Sequence, residues 1–209
     1  MKNFLHTAEQ LLGRKLNAKD GYTWNEIKQA ENRLGLAMPE VLRLFYSLVG
    51  KVDILASSFQ QFLPLNELQT DGNKIIFLIE NQEVCQWATA TNGDKIWVQY
   101  NNDEGWMAEP IDLFEFIELI MYYNCAQGGF EFGGIIQYKK AYPAILEYVQ
   151  KKWDKVVQYN GLTIYAYQDN LIWHFYTGDK APTDDGIFLS CRTEEQFDEL
   201  SERFDFVEL

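Results

Sequence analysis

The sequence predicts an α+β fold in which an antiparallel or mixed sheet is flanked by helices. Apolar residues recur at helical spacing in the N-terminal quarter of the chain and again near the C-terminus. Between these segments lie short apolar runs bounded by Gly, Asn and Asp, which are typical of buried strands. We expect residues 1–134 to form the core. Residues 135–209 are expected to form an extension, with the order β-β-β-α, that packs on the same domain.

Three helices are predicted in the N-terminal part of the core. The first covers about residues 3–15. Thr23 and Glu26 form a capping box that starts the second helix, and Gly35 ends it because glycine adopts the left-handed conformation easily. Pro39 suits the first turn of the third helix, which Gly50 closes. The apolar residues expected to face the core from the second helix are Trp24, Ile27, Ala30 and Leu34.

The middle of the chain predicts a change from helices to strands. Strands are expected at residues 74–79, 84–88 and 96–100. Pro110 is expected to open a helix over residues 111–123. The glycine-rich segment 128–134 then predicts a hinge or a mobile loop.

The extension predicts a helix, three strands and a last helix. Pro143 begins the first helix, and Thr193 with Gln196 repeats the capping signal before the last one. The strands are expected at residues 162–168, 171–176 and 187–191, the first two forming a hairpin.

The chain carries a formal net charge of −13, and this charge is segregated along the sequence. Between Ile96 and Tyr138 there are seven carboxylates and no Lys or Arg, and between Ala181 and Leu209 nine carboxylates face only two Arg. Such a distribution repels nucleic acid and anionic membranes and favours basic partners. The alternative is that these acids only keep the fold soluble. The residues that we expect to contact a partner are Asp103, Glu104, Glu109, Asp112, Glu115 and Glu118, of which the last three are expected on the outward side of the predicted helix.

Patterns that carry catalytic or metal-binding chemistry are scarce. The three cysteines are far apart and form no Cys-x-x-Cys pair, and a pairing of Cys125 with His174 has no support in the sequence. The acidic pairs at Asp103–Glu104 and Asp184–Asp185 are more typical of solvated turns than of a Mg²⁺ or Ca²⁺ site. We therefore expect no catalytic residue, no metal and no cofactor. The lack of a signal-like or membrane-spanning apolar run, together with unpaired cysteines, leads us to expect a cytoplasmic location.

A longer pattern runs from Trp24 to Gly50 and reads W-x-x-I-x-x-A-E-x-x-L-G-x-x-x-P-x-x-L-x-x-F-Y-x-x-x-G. It is followed by Ile75–Phe77 with Glu80, then by Trp87, Asp94–Val98 and Leu113–Ile117. In this order and spacing the pieces resemble the SUKH superfamily, which includes a yeast regulator of cell-wall synthesis and many bacterial immunity proteins. The likeness covers about residues 20–122, and residues 135–209 hold no matching motif.

The resemblance implies a SUKH-like core and a cytoplasmic protein-binding module. Bacterial members of the superfamily typically neutralise a secreted or contact-delivered toxin, often a nuclease, by binding its toxic domain. Because a nuclease must bind phosphate, its active site is basic, and a segregated acidic face suits it. We therefore expect a non-catalytic immunity protein whose partner is a basic toxin domain. Two alternatives stay open: a regulatory or scaffold protein like the yeast relatives, and an acid-dependent enzyme.

Overall fold

A computed structural model describes residues 4–91, 93–101, 105–178 and 181–209. The α+β class is confirmed; of the antiparallel or mixed pairing that we expected, the structure shows the antiparallel form, and its strands form two sheets rather than one. The helices are α1 (Phe4–Leu12), α2 (Trp24–Leu34), α3 (Glu40–Val49), α4 (Asp53–Ala56), α5 (Leu113–Asn124), α6 (Tyr142–Lys152) and α7 (Glu194–Phe204). The strands are β1 (Gln61–Phe62), β2 (Gln69–Asp71), β3 (Lys74–Ile79), β4 (Cys85–Ala90), β5 (Lys95–Tyr100), β6 (Met107–Asp112), β7 (Phe132–Ile136), β8 (Asp154–Tyr159), β9 (Leu162–Tyr167), β10 (Asn170–Phe175), β11 (Ile187–Cys191) and β12 (Val207–Glu208).

The chain divides into two compact units. The first contains Arg14–Asn124 and the residues up to Glu9, and the second contains Cys125–Leu209 and Gln10–Gly13. The first unit holds the sheet β1-β3-β4-β5-β6, with β2 also paired to β3, and the second holds the sheet β12-β7-β11-β10-β9-β8. The boundary that we expected between residues 134 and 135 lies inside β7. That the C-terminal segment packs on the same domain stays a prediction.

Local capping signals define the helices at the start of the first unit. The side chain of Thr23 accepts a hydrogen bond from Glu26 N–H, and the Glu26 carboxylate accepts one from Thr23 N–H at 2.7 Å. Gly35 ends α2 with a φ of 68°. The capping box and the glycine stop are therefore confirmed.

An aromatic cluster fills the core of the first unit. Phe4 stacks on Phe114 with ring centroids 4.4 Å apart, and Phe45 lies 4.3 Å from Phe62. At the end of α5, the wholly buried Asn124 donates to the carbonyls of Leu55 and Gln60. These contacts fix α3 and α5 relative to one another, because each helix supplies rings to the same cluster.

The prediction that Pro110 opens a helix is wrong. Pro110 lies in β6, which among the described residues is an edge strand paired with β5 alone. Proline is tolerated at such an edge because the missing N–H leaves no inner ladder bond unmade. The helix begins at Leu113 instead, where Asp112 accepts a hydrogen bond from Glu115 N–H at 2.8 Å. Asp112 therefore acts as the N-cap of α5.

The second unit packs α6 and α7 with its sheet around one apolar cluster. The cluster includes Ile145 and Val149 of α6, Ile172 of β10, and Phe197 and Leu200 of α7. The three predicted strands of this unit correspond to β9, β10 and β11, whereas β7, β8 and β12 were not predicted.

The prediction of a hinge or mobile loop at residues 128–134 is also wrong. Cys125–Gly129 forms a π-helical turn, and Phe132–Ile136 forms β7 in the interior of the second sheet. A Cβ atom on Gly134 would lie 2.8 Å from Phe197 Cε2 and 3.1 Å from Val207 O. At this position, glycine allows α7 and β12 to approach the strand closely.

Candidate partner-binding surface

The predicted contact residues lie around the junction of β6 and α5. Glu109 and Asp112 are half-buried on β6, and Glu115 is exposed in the first turn of α5. Asp103 and Glu104 lie outside the described residues. The structure therefore brings Asp112 and Glu115 to the same helix start, where carboxylates also favour the positive end of the helix dipole.

Glu118 does not lie on an outward side, and that part of the prediction is wrong. Its carboxylate is half-buried and accepts a hydrogen bond from the hydroxyl of Thr7, a buried residue of α1. The cause is that α5 is covered on nearly all sides: of its first seven residues only Glu115 is exposed. Glu118 thus contributes to the packing of α1 on α5.

A groove of about 590 Å³ opens beside this junction. Its apolar part consists of Val41 and Leu44 of α3 and Phe114 of α5, and one wall is Trp24 of α2. The acidic residues that line it are Glu40, Asp94 and Asp112. Its volume falls in the range of about 300–1,000 Å³ that is common for ligand sites.

Two of the acidic residues lie on segments that are joined by backbone hydrogen bonds. Asp94 stands just before β5, and its carbonyl accepts a hydrogen bond from Leu113 N–H at 2.8 Å. Asp112 is the residue next to Leu113 and caps α5, so the two carboxylates lie on segments that are bonded to each other. Lys95, the residue after Asp94, is the cross-strand partner of Asp112 in the β5–β6 register. One cation therefore belongs to the same part of the sheet as these two acids.

Trp24 is the residue that the sequence interpretation missed. We expected it to face the core, but its exposed fraction is 64%, so that prediction is wrong. It is the first residue of α2, and the helix enters the core only from the next turn onward, where Ile27 and Ala30 are buried. Single exposed apolar side chains are common, but Trp24 lines the same groove as Val41, Leu44 and Phe114 and so extends an apolar patch, which is the feature that marks interaction sites.

Three charged residues of α2, Glu26, Lys28 and Glu31, are engaged in ion pairs within the first unit. Lys51 and the capping contacts from Thr23 lower the pKa of Glu26 to about 2. Burial alone would raise the pKa of Glu31, but the N–H of Met38 and the guanidinium of Arg43 outweigh it and hold this pKa below its ordinary value. Lys28, one turn after Trp24, lies 3.4 Å from Glu31.

Burial keeps the three cysteines and His174 in their neutral forms. Burial raises the pKa of the Cys125 thiol, raises that of Cys191 to about 12 and that of Cys85 to about 11. Burial also lowers the pKa of His174, whose Nδ1 lies 3.0 Å from the carbonyl of Phe175. Since the thiolate is the reactive form of cysteine, these thiols are in the unreactive form at neutral pH.

The acidic pair Asp184–Asp185 forms part of a turn. Asp184 forms an ion pair with Lys139, and Asp185 accepts a hydrogen bond from Thr183 at 2.8 Å. Within residues 4–91, 93–101, 105–178 and 181–209, no group of three or more His, Cys, Asp or Glu side chains is arranged to hold a metal ion. None of the helices in the described parts combines the length and apolar character that a bilayer crossing requires.

No protein-family model, curated protein or solved structure matches the chain.

Proposed function

We propose that this chain is a non-catalytic, cytoplasmic protein-binding module: an immunity protein that neutralises a basic, nuclease-type toxin domain. The observation that carries the proposal is the groove beside the β6–α5 junction, where an exposed tryptophan and an apolar floor lie among carboxylates. Such a combination is typical of a protein interface, because aromatic residues supply affinity and charges supply specificity.

The position of the groove in the sequence agrees with the resemblance to the SUKH superfamily. Trp24 opens the pattern that ends at Gly50, and Val41 and Leu44 lie on the helix within it. Asp94 and Phe114 belong to the later pieces of the same pattern. The segments that carry the resemblance therefore also supply most of the groove.

Charge supports a basic partner. The lining residues that the structure describes include three carboxylates and neither Lys nor Arg. Glu109 and Glu115 extend the negative charge along β6 and onto α5. Attraction of this kind speeds the encounter with a cationic protein, while burial of Trp24 and its apolar neighbours would supply the larger part of the affinity.

The test is co-expression with each protein encoded beside this gene; for a neighbour whose expression alone kills the host, taken as the toxin, survival and the association rate of the purified pair are measured. Reversal of three acids near the groove is expected to slow association at least about tenfold. Asp112 is kept, so that the N-cap of α5 is not lost. The substitutions are Asp94→Lys, Glu109→Lys and Glu115→Lys.

A matched control makes the same change in net charge on the second unit. Its three positions are exposed on α7 and lie outside the groove. The substitutions are Asp198→Lys, Glu199→Lys and Glu202→Lys. Equal slowing by both sets would contradict the assigned surface, and failure of the wild-type chain to protect against the toxin would contradict the immunity function itself.

A further inference from the structure

The groove has an apolar floor that is held rigidly. Phe114 is 8% exposed and stacks on Phe4 with ring centroids 4.4 Å apart. Val41 and Leu44 lie on α3, whose Phe45 is buried in the same aromatic cluster. A ligand that enters the groove therefore meets a preformed surface and loses little free energy to reorganising it.

One wall of the groove is an aromatic face that is available to a ligand. Trp24 has 64% of its surface exposed to solvent, so a ligand group that covers it removes apolar area from water. Tryptophan is also the side chain whose ring face attracts cations most strongly. A flat cationic group can use both properties at once.

The carboxylates that line the groove favour a ligand with positive charge. Glu40, Asp94 and Asp112 line the groove from three different segments: α3, the residue before β5, and the end of β6. Lys95 is opposite Asp112 in the strand register, and Lys28 of α2 is paired with Glu31. Even with Lys95 counted, the lining keeps an excess of negative charge.

We infer that the groove seats an arginine side chain of a protein partner, with an adjacent apolar residue of the partner packed on Val41 and Leu44. Arginine fits better than lysine because its planar guanidinium stacks on an indole ring and donates two parallel hydrogen bonds to a carboxylate. Lysine offers only a compact charge on a flexible chain. This inference rests on the proposed protein-binding function and names the chemistry of the partner's anchor.

The probe for this inference is a blocked pentapeptide with a central Arg between two Leu residues. It is titrated into the full-length protein while two-dimensional NMR follows the indole N–H of Trp24 and the backbone amides of Val41 and Leu44. The expected result is that the Arg peptide shifts these signals at low ionic strength. The same peptide with Lys should bind several-fold more weakly, and the one with uncharged citrulline at least about tenfold more weakly.

Two variants separate the ring from the charges. Trp24→Ala is expected to weaken the Arg peptide about tenfold, because it removes the stacking face. The double variant Asp94→Asn with Asp112→Asn is expected to weaken it by a similar factor, while Asn at position 112 retains an oxygen for the helix cap. Trp106→Ala is the matched control, since Trp106 is bound to Asp71 and does not line the groove.

The outcomes distinguish this inference from the function on which it rests. Equal binding of the citrulline peptide, chemical-shift changes confined to residues outside the groove, or equally tight binding of spermidine at the same signals would overturn the arginine assignment. If Trp24→Ala leaves capture of the neighbouring toxin unchanged, the inference fails while the immunity function stands. If the Arg peptide binds as expected but the chain protects against no toxin, the function fails and the groove assignment stands.

Discussion

Glu31 illustrates how a single buried charge fixes the helices next to the groove. Its carboxylate is 6% exposed, accepts a hydrogen bond from Met38 N–H at 2.8 Å and pairs with Arg43 at 2.7 Å. The bond to Met38 ties α2 to the segment that leads into α3. With Lys28 at 3.4 Å, three residues thus compensate the loss of hydration that burial of the carboxylate causes.

Replacement of Glu31 by Gln should lower the free energy of unfolding by about 2 kcal/mol near neutral pH, because Arg43 and Met38 lose a charged acceptor. The folded-state pKa of Glu31 lies below its ordinary value, so its stabilisation is present above the unfolded pKa of about 4.3 and is lost as the pH falls through the folded value. Urea unfolding at several pH values measures both effects. The exposed Glu67→Gln is the control, and an equal loss in that variant would contradict the assignment.

The two histidines allow a second comparison at this scale. Burial lowers the pKa of His174, so below about pH 6.5 the unfolded chain binds a proton that the folded chain does not. The free energy of unfolding should therefore fall as the pH drops from about 6.5 toward the folded pKa, by up to about 1.4 kcal/mol per pH unit. His174→Gln should remove this slope, whereas the exposed His6→Gln should keep it. A slope that persists in the His174→Gln variant would refute this explanation.

At the scale of elements, a helix or strand was predicted correctly where the residues that define its ends lie within or next to it in the sequence. The start and end of α2 were predictable because Thr23 and Gly35 act on their own ends of the helix. Strand β6 was not, because Pro110 suits an edge strand as well as a helix start and only the pairing with β5 decides between them. The candidate site shows the same limit: the charge pattern indicated Asp112 and Glu115, but the exposure of Trp24 depends on where α2 enters the core.

The glycines of β7 test the packing of a strand that the sequence pattern had assigned to a hinge or loop. Gly134→Ala should destabilise the second unit by about 1–3 kcal/mol, because the new methyl group would lie 2.8 Å from Phe197 and 3.1 Å from the Val207 carbonyl. Gly133→Ala should be tolerated, since its nearest neighbour would be Leu189 O at 3.8 Å. Thermal unfolding of the two variants measures the difference, and equal melting temperatures would contradict the close packing of α7 and β12 on β7.

At the scale of the whole molecule, the dominant physical property is the formal charge of −13. Such a charge attracts cationic proteins over a distance set by the ionic strength, about 10 Å at 0.1 M salt. It does not by itself select a partner, and selection therefore has to come from a surface with defined shape. The groove of the first unit meets that need because it combines carboxylates with Trp24 and a rigid apolar floor.

The most direct test measures how the rate of association with the neighbouring toxin domain depends on salt. It decides between recognition by the acidic groove and a general effect of net charge. Between about 0.05 and 0.5 M salt, the rate for the wild-type chain should fall at least tenfold. The variant with lysines at positions 94, 109 and 115 should associate slowly and show a much weaker dependence on salt, while the α7 control should behave like the wild type. A wild-type rate that does not change with salt, or a groove variant that associates as fast as the wild type, would contradict the proposal that this protein acts through its acidic groove.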